Sequence, residues 1–179
     1  MKKKFFKQIY IISIIYFCNF AETSLAQTDK KKVIKMLEGR HWILNKNKFN
    51  NLGEGADNIL IDIAGDNKII NYLRFRALEA LALFPTEKTA NFLEKIAEKS
   101  FSPIARRGFE SFSRGFSKTK PKRVKNLALK LLKHHRKNLR IAAAIFIRSE
   151  DSEIFKKFIK TEVDPWVRKE ALKKIKLNQ

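Results

Sequence analysis

The sequence predicts an all-α fold: one domain of antiparallel helix pairs stacked side by side. Three observations predict it. A short pattern (an aliphatic residue, Arg, two variable residues, a small residue, an apolar one) occurs as Leu73, Arg74, Ala77, Leu78. It returns as Ile104, Ala105, Gly108, Phe109, as Leu139, Arg140, Ala143, Ala144, and as Val167, Arg168, Ala171, Leu172. The small residues Ala77, Gly108, Ala143 and Ala171 lie 31, 35 and 28 residues apart, and self-similarity at such a period marks a repeat array. Within each copy the apolar residues recur at spacings of three and four, the helical period. Finally, 6 Gly and 4 Pro in 179 residues are few for a sandwich or barrel that turns often.

Bulk composition bounds the rest. Apolar residues make up 44% of the chain, enough to bury a core and too many for a disordered polyampholyte. The formal charge of +21 speaks of attraction to anionic partners, not of fold. Nucleic acid, anionic lipid and acidic polysaccharide all satisfy it.

Residues 1–26 read as a secretory signal peptide. Lys2, Lys3, Lys4 and Lys7 form its basic start, and the run 9–17 is apolar apart from Ser13. That run is short of the ~20 apolar residues a bilayer span needs, which argues against a retained anchor. Ser24, Leu25 and Ala26 set small residues at the two positions a signal peptidase inspects, placing cleavage after Ala26. Cys18, the only cysteine, follows the bulky Tyr16 and Phe17, so lipoprotein processing is not expected there. The mature chain then has no thiol chemistry. Its expected place is periplasmic or secreted, and loss of four Lys and Glu22 lowers its charge from +21 to +18.

The expected elements follow in order. A short amphipathic helix covers 29–38, with Val33, Ile34 and Leu37 on one face. Residues 40–51 show no clean period and read as a loop with about one helical turn. Residues 27–52 thus form an N-terminal cap. The next helix, 57–64, buries Ile59, Leu60 and Ile63, and helix 70–84 carries the first motif until Pro85 stops it. Thr86 caps 87–99. Ser102 with Pro103 starts 104–116, and Gly108 sits there where a neighbouring backbone leaves no room for a Cβ. Pro121 opens 122–135, Asn138 caps 139–148, and Ser152 caps 153–160. The run 141–147 is apolar all round, which predicts a helix at the centre of the core. Asp164 with Pro165 starts the last helix, to 177, whose Lys169, Lys173, Lys174 and Lys176 give the wet face a terminal cap needs. The repeats occupy 53–163 and the C-terminal cap 164–179.

The alternating helices, the Leu/Val-Arg-x-x-Ala/Gly core and the Asp-Pro start resemble HEAT repeats, over residues 53–177. The resemblance implies a right-handed α-solenoid whose second helices line the concave side, and a role in binding or scaffolding. It also implies that Arg74, Arg140 and Arg168 bond to neighbouring acidic groups or carbonyls along the stack. The second copy departs, with Ala105 at that position.

No catalytic set is legible, and no cofactor or metal is expected. His41, His134 and His135 match no metal or nucleophile motif. On a helix, His134 and His135 would point about 100° apart, too far to share a ligand. Their expected role is a cation beside a helix C-terminus. The strongest functional pattern is a polar stripe on the second helices: Lys88, Asn91 and Lys95, then Arg123, Asn126, Lys130 and Lys133, then Lys157 and Lys160. It reads either as a basic concave groove or as the plain solvation of a Lys-rich chain. The function expected is that of an exported, non-catalytic adaptor binding another protein. The alternative is a module for an envelope polyanion (lipid head groups, polysaccharide or nucleic acid), and the third is an enzyme-accessory subunit. Trp42 and Trp166 lie at the two ends, leaving no aromatic ladder for base stacking, so nucleic acid is the least expected of these anions.

Overall fold

The structure, a computed structural model, describes residues 30–100 and 102–173. The expected signal peptide, its cleavage after Ala26, Cys18, the side chain of Ser102 and the basic tail from Lys174 lie outside the described residues. Among these residues every regular element is a helix. None is long and apolar enough to cross a membrane.

The chain divides into two compact units at the Trp42–Ile43 bond. The first contains helix α1, residues 30–37, whose Val33 and Leu37 are buried at helical spacing. Past its end the Trp42 indole N–H donates to the Met36 carbonyl at 2.9 Å, occupying an acceptor that helix termini leave open.

The second unit holds α2 (Lys46–Asn50), α3 (Ala56–Gly65), α4 (Asn71–Leu81), α5 (Glu87–Lys99) and α6 (Ser102–Phe116). Then come α7 (Pro121–Leu132), α8 (Lys137–Glu150), α9 (Ser152–Thr161) and α10 (Pro165–Leu172). Several starts are where side-chain chemistry puts them. Thr86 accepts from the Thr89 N–H, and Asp164 from those of Trp166 and Val167. Two expected caps differ. Asp151, not Ser152, caps α9 by accepting from the Ile154 N–H, because its carboxylate comes one residue earlier and reaches the same donor. Helix α8 begins at Lys137, ahead of Asn138, with no side-chain cap. Helix α4 is shorter than expected. After Leu81 the chain tightens into three-residue bonds, Leu83 to Ala80 and Phe84 to Leu81, before Pro85.

The motif helices α4, α6, α8 and α10 are neighbours in that order. Helix α3 packs along α4, α5 along α6 and α7 along α8, so the main partner of α5 is the helix that follows it. Close approach of α6 needs its glycines. A Cβ on Gly115 would lie 2.8 Å from the Ala82 carbonyl oxygen, at the end of α4. On Gly108 it would lie 2.7 Å from Ile96 Cγ2 and 3.3 Å from the Ala97 nitrogen, so α5 enforces the small residue through a side chain first and backbone second. Phe109, Phe112 and Phe116 form the buried stripe of α6. Helix α8, in contact with α6, α7, α9 and α10, buries Leu139, Ile141, Ala142, Ala143, Ala144 and Ile147, as its all-round apolarity predicts.

Candidate functional site

The motif arginines act as struts. Arg74 Nε donates to the Ala64 carbonyl at 3.1 Å, at the C-terminus of α3. Arg140 Nη1 donates to the His134 and His135 carbonyls just past α7, at 2.9 and 3.1 Å. Arg168 Nη1 donates to the Glu162 carbonyl just past α9, at 2.7 Å. Each thus ties the start of a motif helix to the end of the preceding one, where open carbonyls and the helix dipole favour a cation. In the second copy, where Ala105 stands, the matching acceptor past α5 is the Ser100 carbonyl, and Arg136 supplies the donor.

Arg140 does more. Its Nε and Nη2 meet the two carboxylate oxygens of Glu162 at 2.8 and 3.1 Å, a bidentate pair with side chains 14% and 4% exposed. Burial pushes the Glu162 carboxyl up. The Arg140 bonds and the Asp164 N–H outweigh that, so its pKa lies below the ordinary glutamate value.

The polar stripe separates into two parts. On α5 and α7 two of its cations, Arg123 and Lys130, are matched by carboxylates. Arg123 pairs with Glu87 at 2.6 Å and also with Glu94, and donates to Asn91. Lys120 pairs with Glu87, and Lys130 with Glu98 at 3.1 Å. The bonds from Lys120 and then Arg123 lower the Glu87 pKa. Lys88 bonds to Asn58 on α3. Surface pairs of this kind add little to stability, because solvent and salt screen them. Their larger effect is electrostatic, since they remove free positive charge from this half of the stripe.

The other part is a groove between α7 and α9, with a volume of about 1000 Å³. It gathers Asn126, Lys130, Lys133 and Lys157 from the predicted set; Lys95 and Lys160 are exposed outside it. Among the described residues Lys95, Lys133, Lys157 and Lys160 have no ionic partner. The floor was missed in the sequence: Leu129 and Leu132 from α7, Ile154 and Phe158 from α9, and Val163, which is 86% exposed. Leu129 and Leu132 flank the inward stripe of α7, and only the neighbouring helix shows which flank is lined.

His134 and His135 line the same groove. The divergence expected of them on a helix does not occur, because α7 ends at Leu132 and the rings stack, centroids 4.3 Å apart. His134 Nδ1 accepts the Arg136 N–H. Burial first, then the charges of His135, Arg136 and Arg140, hold its pKa below the ordinary histidine value. His134 is therefore not the cation expected beside α7; Arg140 fills that place. Among the described residues no three His, Cys, Asp or Glu side chains gather as a metal set. No protein-family model, characterised protein or solved structure matches the chain.

Proposed function

We propose that this protein is an exported, right-handed HEAT-like solenoid that acts as a non-catalytic scaffold or adaptor. Its partner is another protein, bound on the α5, α7 and α9 face that the repeat reading makes concave. Two features support the repeat reading: the motif helices neighbour one another in order, and their arginines take equivalent carbonyls. The observation that carries the partner class is the apolar floor of the α7–α9 groove. A site for a polyanion alone works through cations and needs no such floor, and Arg123 and Lys130 of the stripe are already matched by carboxylates. The unpaired Lys95, Lys133, Lys157 and Lys160 favour the second reading, an envelope polyanion.

Salt separates the two. The purified protein is immobilised and exposed to envelope extract at low and at moderate ionic strength. Retention of a defined protein at both supports the scaffold. Binding that collapses as the Debye length shrinks, with polysaccharide or lipid as the retained material, overturns it.

A further inference from the structure

We propose that the α7–α9 groove receives an acidic amphipathic helix of its partner. The inference rests on the scaffold reading and adds the chemistry of what is bound. Both helices give the floor apolar residues at helical spacing, Leu129 with Leu132 on α7 and Ile154 with Phe158 on α9. Paired stripes of this kind complement the i, i+3, i+4, i+7 face of a third helix. The volume of about 1000 Å³ sits at the top of the small-ligand range of ~300–1,000 Å³. An open trough of that size suits a helix face. Val163, 86% exposed at the edge, extends the apolar surface past the trough itself.

Charge sets the sign of the guest. Lys133 and Lys157 are exposed and unpaired among the described residues; Lys130, on the same groove with its side chain 69% exposed, is paired with Glu98 and adds less. The carboxylate in the wall, Glu162, has both oxygens on Arg140 and is 4% exposed, so its charge is compensated where it lies. A guest thus meets free lysines above an apolar floor. A helix with a Leu stripe flanked by Asp and Glu satisfies both. A basic helix meets only repulsion at the rim, and a lipid head group or polysaccharide leaves the floor uncovered.

The test uses the purified protein and a fluorescein-labelled synthetic helix with Leu at i, i+3, i+4 and i+7 and Glu at the flanking positions. A twin with Lys in place of Glu and vesicles of phosphatidylglycerol serve as competitors for the same site. Anisotropy is expected to show the Glu helix binding at least about tenfold more tightly than the Lys helix. The double variant Lys133→Glu/Lys157→Glu should weaken the Glu helix by on the order of tenfold and strengthen the Lys helix, a swap that misfolding does not produce. Val163→Asp should weaken the Glu helix through both the floor and the charge.

Equal binding of the two helices, or no response to the lysine reversals, overturns the proposal. So does vesicle binding that the reversals abolish while the Glu helix fails to bind. If the groove variants still retain the envelope protein, the scaffold reading stands and the interface lies elsewhere. If wild type retains no protein at all, the scaffold reading itself fails.

Discussion

Replacing Arg140 with Met removes one partner of the buried pair and keeps the bulk of the side chain. Glu162 is then left as a carboxylate 4% exposed, with the Asp164 N–H as its remaining donor. Two carbonyls past the end of α7 lose their donor as well. Breaking a buried pair from one side costs ~3–5 kcal/mol, chiefly the penalty of the orphaned charge. We expect about 3 kcal/mol, since the remaining N–H offsets part of it. That is a large share of the ~5–15 kcal/mol of a typical domain. Urea unfolding followed by far-UV circular dichroism measures the loss directly. The double variant Arg140→Met/Glu162→Gln should recover part of it, because it deletes the charge that made the single variant costly.

Acid gives the same pair a second signature. The Glu162 pKa is lowered in the folded protein, so the pair's contribution is complete above the unfolded value of about 4.3 and is lost as pH falls through the lowered folded value. In Arg140→Met, burial without the guanidinium raises the carboxyl pKa. That variant is instead penalised progressively as pH rises from the unfolded value through its raised folded value, and the penalty is complete above the latter. The stability gap between wild type and Arg140→Met should therefore narrow steadily from pH 7 toward pH 3. A loss under about 1 kcal/mol, or a gap that stays constant in acid, would refute the account of Arg140 and Glu162 as the buried tie between α8 and the α9–α10 junction.

Three further variants test the packing and the struts. Gly115→Ala puts a Cβ 2.8 Å from a backbone oxygen that cannot rotate away, and thermal unfolding should report a loss of ~1–3 kcal/mol. Gly108→Ala meets a side-chain methyl first, and the helix gains up to ~1 kcal/mol from the lost glycine, so its net effect should be the smaller of the two. Arg136→Met should cost ~1 kcal/mol and raise amide hydrogen exchange at the C-terminal turn of α5, far from residue 136 in sequence, because the Ser100 carbonyl loses its donor.

The helices and the arginine positions were legible because both are local signals. Apolar spacing defines α4 to α9 within a few residues, and Thr86 and Asp164 are caps readable from their neighbours alone. The motif fixed Arg74, Arg140 and Arg168 at helix starts, and the carbonyls they take lie only 5 to 10 residues back, at the end of the preceding helix. What was not legible depends on side chains that meet between helices distant in sequence. Glu87 and Glu94 neutralise Arg123 across residue separations of 36 and 29, so a stripe that reads as cationic along one helix is half matched in space. The groove floor is built from two helices, and α7 alone does not distinguish a lined flank from a wet one. The histidines were misread because the end of α7 was set three residues late, which turned a stacked pair into two diverging helix positions.

The strut past α5 has a consequence for the helices taken as consecutive pairs. Three junctions carry their own arginine, but the α5–α6 junction borrows one that belongs to the segment leading into α8. Copies of that unit are therefore not interchangeable with the others. Duplicated or moved to the C-terminal end, it would arrive without its brace, whereas α7–α8 would bring its own. Shortening the chain after α8 would strip Arg140 of Glu162 in the same stroke. Shuffling or trimming these units is thus constrained by who lends a donor to whom, as much as by which oily faces match.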